Sequence, residues 1–482
     1  MAHWLKDRGF DAYAVRGGVA ALEGRPPPLS AADVRTLEAT GRALGALRDP
    51  RFRLYSTGVL ISLTTKSVEG AAYGYVVLLV GGSAATLGVI GFLSTIPNLI
   101  LALPAGALAD RYDQRRLLVA FQGASMLVPV SLAVLSATDS LTVPLMGALA
   151  LTGGVLGALS FPAFQGMLAS MVPRRDLESA VAINSMSLHA ARFVGPAVAG
   201  LLLATGGPTW IFVVNAAGFP FVLATLALLP ATPSRGGESA AKLGGAISDG
   251  VRYVFGQRSI ASLMVLTLLA GVFATPAIAF MLPAIVRFEL DGGGGTLGAL
   301  TAAMGLGSLL GSLALLILSR RPNKGGPILA GYLATALGIA ALGASSSVPF
   351  SLALALVGGF AAVLFIGLST VVVQSMSTNE MRARAMAIWA AAFVGVLPLG
   401  GLVTAALAAG IGPGNAVLVD GLVTLVGGVI VVALRPEIRW LGCAALPEAC
   451  IAATNPMAVA VEANLESEPG LGEPRPTDAM AR

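Results

Sequence analysis

Lys66 and Glu69 stand one turn apart inside an otherwise apolar run. On a helix they share a face and can neutralise each other. A charged side chain at the centre of a bilayer costs about 2.5–3.5 kcal/mol on insertion scales, so its presence asks for a reason. The pair could contact a solute or exchange a proton. It could equally be a structural salt bridge, or lie at a wet outer mouth. His189 and Arg192 sit three apart in another apolar run. Arg192 reads as cavity-facing or as a contact between the halves, and His189, also a candidate for the cavity or for coupling, reads first as a helix-contact residue. Gln165 and Gln374 lie near the ends of two further runs. Both read first as helix–helix hydrogen bonds, with the inner end of a cavity as the functional alternative. Asp420, midway along the last run, reads as a polar contact with a neighbouring helix.

The chemistry of an enzyme is not in evidence. The chain has 2 His, and its acidic residues are scattered through loops rather than paired. Cys443 and Cys450, seven apart and without His neighbours, read as free thiols and make no metal signature. Thr65-Lys66-Ser67 lacks the glycines of a nucleotide-binding loop. No cofactor, no metal and no catalytic residue is expected.

The elements that must hold these residues follow from composition. Of 482 residues, 56% are hydrophobic and 11% charged, and the mean hydropathy is +0.82. Soluble domains carry about a quarter charged residues. A chain so poor in charge needs lipid as part of its solvent. A membrane helix takes about 20 apolar residues. Such runs lie near 54–80, 84–108, 116–137, 141–171, 178–205 and 208–230. After the polar stretch TPSRGGESAAKLGG, six more lie near 259–287, 295–319, 326–345, 348–377, 384–409 and 413–434. The expected fold class is all-α integral membrane, twelve spans in two six-helix halves. The domains read as an N-terminal extension at 1–50, a first half at 51–230, a linker at 231–257, a second half at 258–434 and a disordered polar tail at 435–482.

The net charge of +5 falls unevenly. Basic residues fill alternate gaps: Arg111, Arg115 and Arg116; Arg174 and Arg175; Arg235, Lys242, Arg252 and Arg258; Arg320, Arg321 and Lys324; Arg382 and Arg384. The gaps between are nearly bare, apart from Arg287, Glu289 and Asp291. This is the positive-inside pattern, and it puts both termini in the cytoplasm. It also accounts for the basic balance without nucleic acid. The fourth run ends FQGMLASMVPRRDLESAVAI and the tenth VQSMSTNEMRARAMAI. Their shared Gln-x-Met, basic turn and Ala-x-Ala-Ile point to internal duplication.

Between the second and third runs the chain reads GALADRYDQRRLL, from Gly106 to Leu118. This resembles the signature loop of the major facilitator superfamily, G-x-L-A-D-R-x-G-R-K-x-x-L. Asp113 replaces its inner Gly, and Gln114 its first basic residue. The ending is similar to the branch of bacterial siderophore exporters and macrolide effluxers. A second stretch, ARFVGPAVAG from Ala191 to Gly200, resembles the fifth-helix motif of the superfamily's exporters. The resemblance implies alternating access and a charge latch of Gly106, Asp110, Arg111 and Arg115 favouring the outward-facing state. In that latch Gly106 permits close helix approach, and Arg111 and Arg115 pair with Asp176 or Glu178. It further implies a fifth helix bent at Gly195-Pro196, with Arg192 and Gly200 completing the motif, and a cavity reached by Lys66 and Glu69.

The expected function is secondary active export of small amphipathic, drug-like or siderophore-like molecules, coupled to protons. A lysophospholipid flippase or metabolite importer on the same fold is the first alternative, and a membrane sensor or enzyme the second. The expected partners are the solute, the bilayer and H+, and the expected state is a monomer in a bacterial inner membrane. No secretory leader is visible in MAHWLKDRGFDAYAVRGG. Residues 5–28 resemble the last segment of a rhodanese domain, without its Cys loop.

Overall fold

A computed structural model of the protein describes residues 45–171, 177–229, 243–378 and 380–441. The rhodanese-like segment, Asp176, Cys443 and Cys450 lie outside these residues, as do the side chains of Glu178 and His189. Among the described residues the regular structure is helical. The first half carries α1 (Pro50–Leu79), α2 (Ala84–Arg111), α3 (Gln114–Ala137), α4 (Val143–Met171), α5 (Leu177–Thr205) and α6 (Pro208–Leu228). Helix α7 (Leu243–Gly256) follows, inside the stretch expected as a linker. It is short, and Val251 and Phe255 are exposed on it. The second half carries α8 (residues 258–289), α9 (Gly294–Leu318), α10 (Gly325–Gly343), α11 (Val348–Met376), α12 (residues 382–411) and α13 (Pro413–Leu434).

Among the described residues, eleven helices are long and apolar enough to cross a membrane. Helix α1, 30 residues long, is not among them. Its charged and polar residues, Arg51, Arg53, Lys66 and Glu69 among them, lower its hydropathy. The outward side chains agree with lipid as solvent: Leu127, Leu228, Leu316 and Leu434 are all more than 60% exposed.

Helix ends follow local chemistry. Asp49 caps α1, its Oδ1 accepting from the Arg51 amide at 2.8 Å, with Pro50 in the first turn. Asp113, standing where the superfamily loop has Gly, caps α3 by accepting from the Arg116 amide at 3.1 Å. The corners before α6 and α13 are built alike. Gly207 (φ 78°) precedes Pro208, and Gly412 (φ 85°) precedes Pro413. Only glycine adopts such φ without strain. The recurrence at the sixth and the last span is a second echo between the halves.

The expected continuous seventh and eleventh spans are segmented. Helix α8 passes from Arg258–Leu269 through a π turn at Ala270–Ala274, short pieces at Thr275–Ala279 and Leu282–Ala284, and a second π turn at Ile285–Glu289. Pro276 and Pro283 lack the amide hydrogens that would continue the ladder. Helix α12 passes from Arg382–Ala390 through a π turn at Ala391–Gly395 to Leu397–Ile411. The two π turns touch: a methyl built on Gly271 would lie 2.8 Å from the carbonyl oxygens of Ala392 and Phe393.

The chain divides into two compact units. One holds residues 1–81 and 93–240; the other holds 82–92 and 241–482. The first turns of α2 thus belong with the second unit, where Gly88 and Gly91 pack against Ala405 and the Phe280 ring. In the first unit α1 packs on α5 and α6, and α3 on α4 and α6. Phe52, Leu118, Met167 and Leu226 form its buried core. In the second, α11 packs on α9 and α10, and α13 on α10 and α12. There Tyr332 is buried edge-to-face against Phe365, with centroids 5.1 Å apart.

Candidate functional site

The middle of α1 is held on two sides. Ser67 abuts α5 where Gly195 leaves room: a methyl there would lie 2.6 Å from Ser67 Oγ and 2.9 Å from its backbone carbonyl carbon. Thr65 abuts α6 at Gly218 in the same way. Gly195 of the fifth-helix motif is therefore a packing residue, and Pro196 and Gly200 are buried beside it. Helix α5 runs unbroken through Pro196.

This grip sets the direction of the charges. Glu69 faces α6, where its Oε2 accepts a hydrogen bond from Asn215 Nδ2. Asn215 is 4% exposed. Lys66 turns toward α4, and a methyl on Gly157 would lie 3.9 Å from its Nζ. Lys66 and Glu69 make no direct salt bridge, though the two groups still interact electrostatically. No carboxylate lies within 4.0 Å of Lys66 among the described residues. The pitch of a helix puts positions 66 and 69 on one side, but about 60° apart at 100° per residue. One more turn along, the Tyr73 hydroxyl donates to the Met146 carbonyl on α4 at 2.7 Å. The cluster thus joins α1, α4 and α6. Lys66 is exposed and Glu69 half-buried.

Asn215 escaped the reading of the sequence. Its signal was an amide in an apolar run, the same signal that drew attention to Gln165 and Gln374. Those two are exposed. The Gln374 carbonyl accepts from Arg382 Nε at 3.0 Å. Arg192 is exposed one turn before Gly195.

The loop after α2 holds its basic residues apart. Arg115 Nε donates to the Leu226 carbonyl at 2.7 Å, and its Nη2 to the Ala227 carbonyl at 2.6 Å. It thus satisfies the carbonyls that end α6, where a cation is favoured. The pairing expected with Asp176 or Glu178 falls on undescribed residues and side chains. Arg111 lies over the Tyr112 ring at 5.9 Å. Asp110 is exposed. A methyl on Gly106 would meet nothing within 4 Å, so no neighbour demands glycine there in this conformation.

In the second unit, Asp420 is fully buried. Thr404 Oγ1 of α12 donates to its Oδ2 at 2.6 Å, while Oδ1 has no partner. This is the neighbour contact expected of it. Thr424 returns its hydroxyl to the Asp420 carbonyl, and the Tyr332 hydroxyl donates to the Thr424 carbonyl at 2.9 Å. Glu289, one of the charges that interrupted the alternation, accepts from the Gly414 amide at 3.0 Å, at the first turn of α13. There it meets the positive end of a helix.

Comparison with known proteins agrees with this architecture. The transmembrane secretion effector family of the major facilitator superfamily matches residues 42–457. The multidrug efflux pump Tap of Mycolicibacterium fortuitum is 26% identical over 387 residues, covering 78% of this chain and 93% of that one. The enterobactin exporter EntS of Escherichia coli O81 is 25% identical over 396 residues, covering 81% and 93%. The staphyloferrin A transporter of Staphylococcus aureus is 32% identical over 149 residues, covering 31% and 37%. Among solved structures, the nucleoside transporter NupG aligns with a TM-score of 0.64 at 13% identity, over 80% of this chain and 99% of that one. A D-xylose-proton symporter aligns with a TM-score of 0.63 at 16% identity, over 80% and 98%. With its membrane-length helices, its signature loop after α2 and a match over most of its length, the chain belongs to the transmembrane secretion effector family of major facilitator superfamily transporters, and is a transporter rather than an enzyme.

Proposed function

We propose that the protein is a proton-coupled exporter of small amphipathic molecules, drug-like or siderophore-like, working by alternating access as a monomer in the bacterial inner membrane. The observation that carries this reading is the polar cluster at the middle of α1. Lys66, Glu69, Asn215 and Tyr73 gather ionisable and hydrogen-bonding groups inside a bundle of membrane-length helices, where such groups mark solute or proton pathways. The names of the full-length relatives, an efflux pump and an exporter, favour outward movement. The alternation of basic loops supports cytoplasmic termini and so places the loop after α2 on the inner side. In this reading Asp110 is exposed because its partner is met in another state. A carboxylate beside a helix N-terminus is worth about 0.3–1 kcal/mol, enough to shift the balance of two nearly equal states.

Purified protein in liposomes with an imposed pH gradient tests both parts. The gradient should drive movement of an amphipathic dye, and Asp110→Asn should slow it severalfold with unchanged protein yield. Dye movement indifferent to the gradient would reject proton coupling. Wild-type rates in Asp110→Asn would reject the latch.

A further inference from the structure

Lys66 is at the centre of the 30-residue α1, exposed, with its ammonium against the bare face of Gly157 on α4. Glu69 is the sole Asp or Glu in α1, α4 and α6, and it is turned to α6 and held by Asn215. The neighbouring Tyr73 hydroxyl is spent on the Met146 carbonyl. The fold therefore holds the one acid on these helices by a neutral amide, outside salt-bridge distance of the cation, and leaves the Lys66 side chain exposed. An ammonium inside a membrane helix bundle without a hydrogen-bonded counter-ion is costly, and a bound anion relieves that cost.

We infer that Lys66 recognises an anionic group on the transported molecule, so that the preferred substrate is an amphiphile bearing a carboxylate, sulfonate or phosphate. This deepens the exporter reading and rests on it. Glycine at 157 leaves room on the α4 side for such a group beside the ammonium. Glu69, held by Asn215, makes no salt bridge that would occupy that position.

The test uses two dyes in proteoliposomes, anionic 8-anilinonaphthalene-1-sulfonate and cationic ethidium, with empty liposomes as background. Wild type should move the sulfonate faster than ethidium. Lys66→Gln should lower the sulfonate rate at least about tenfold, the factor expected for one lost charge-assisted hydrogen bond. Lys66→Arg should keep most of it. Equal sulfonate rates in wild type and Lys66→Gln, or a wild type that prefers ethidium, would overturn the inference while leaving the exporter reading intact. A wild type that moves neither dye would remove both. Binding to wild-type protein in zwitterionic nanodiscs needs no variant. The sulfonate should bind at least about tenfold tighter than uncharged N-phenyl-1-naphthylamine, which shares its aromatic skeleton. Equal affinities would refute anion recognition even if Lys66→Gln failed to fold.

Discussion

At the scale of residues, the two units each contain a buried or half-buried acid held by one neutral partner. Glu69 has Asn215 and Asp420 has Thr404. Neutral donors suit a membrane interior, because they satisfy an acid oxygen without bringing in a second charge that must also be desolvated. Hydrogen bonds between membrane helices are worth about 0.6 kcal/mol on average and up to about 1.7. Asn215→Leu should therefore cost little stability, a small drop in the melting temperature in detergent, but it frees Glu69 to swing toward Lys66. Transport of an anionic dye should then fall severalfold. A large unfolding effect would mean that Asn215 is a structural residue. Thr404→Val should behave oppositely. It leaves Asp420 with neither oxygen partnered in a fully buried place, an expected loss of about 1–3 kcal/mol. Asp420→Asn in the same background should restore part of that loss, since an amide cannot carry a buried charge. The double variant melting no higher than Thr404→Val alone would contradict this account.

At the scale of elements, glycine decides where helices meet. Gly195 and Gly218 let α5 and α6 close on the centre of α1, and this contact aims Lys66 and Glu69 in different directions. Membrane helices gain little from burying apolar surface against each other, so close backbone approach carries more of their association. Gly195→Val would drive a branched side chain into the backbone at Ser67. Overpacking of this kind costs about 1–3 kcal/mol. The expected result is a lower melting temperature together with lost transport, and Ser67→Gly should not rescue it, because the backbone atoms remain. Full activity in Gly195→Val would show that α5 can shift without consequence. In the second unit the π turns of α8 and α12 do related work. Gly271 fits against the Ala392 and Phe393 carbonyls, and Trp389 stacks on Phe393 with centroids 5.7 Å apart. Such turns recur at functional positions in helices.

At the scale of the whole molecule, the threading through lipid carries the functional reading. With Cys443 and Cys450 replaced by Ser, a single cysteine introduced at Thr138, in the bare loop after α3, should react with an impermeant maleimide added to intact cells. One introduced at Asn323, in the basic loop after α9, should react only after the membrane is opened. The reverse pattern would invert the topology and direct the Lys66 cluster's access the wrong way for export. The fold class and the approximate spans were legible in sequence because apolar length and basic loops are properties of segments, set by lipid thickness and by charge. The signature after α2 and the motif around Gly195-Pro196 were legible for the same local reason. Lys66 and Glu69 stood out because charge in an apolar run needs no partner to be noticed. What the sequence could not reveal is which neighbour each charge takes. Residues 69 and 215 are 146 positions apart, and 115 and 226 are 111 apart. A sequence can place Lys66 and Glu69 on one side of a helix, but only packing against α4, α5 and α6 decides that they point to different partners. The reason is geometric: side-chain direction follows from how α1 is rotated in its bundle, and that rotation is fixed by small residues on other helices.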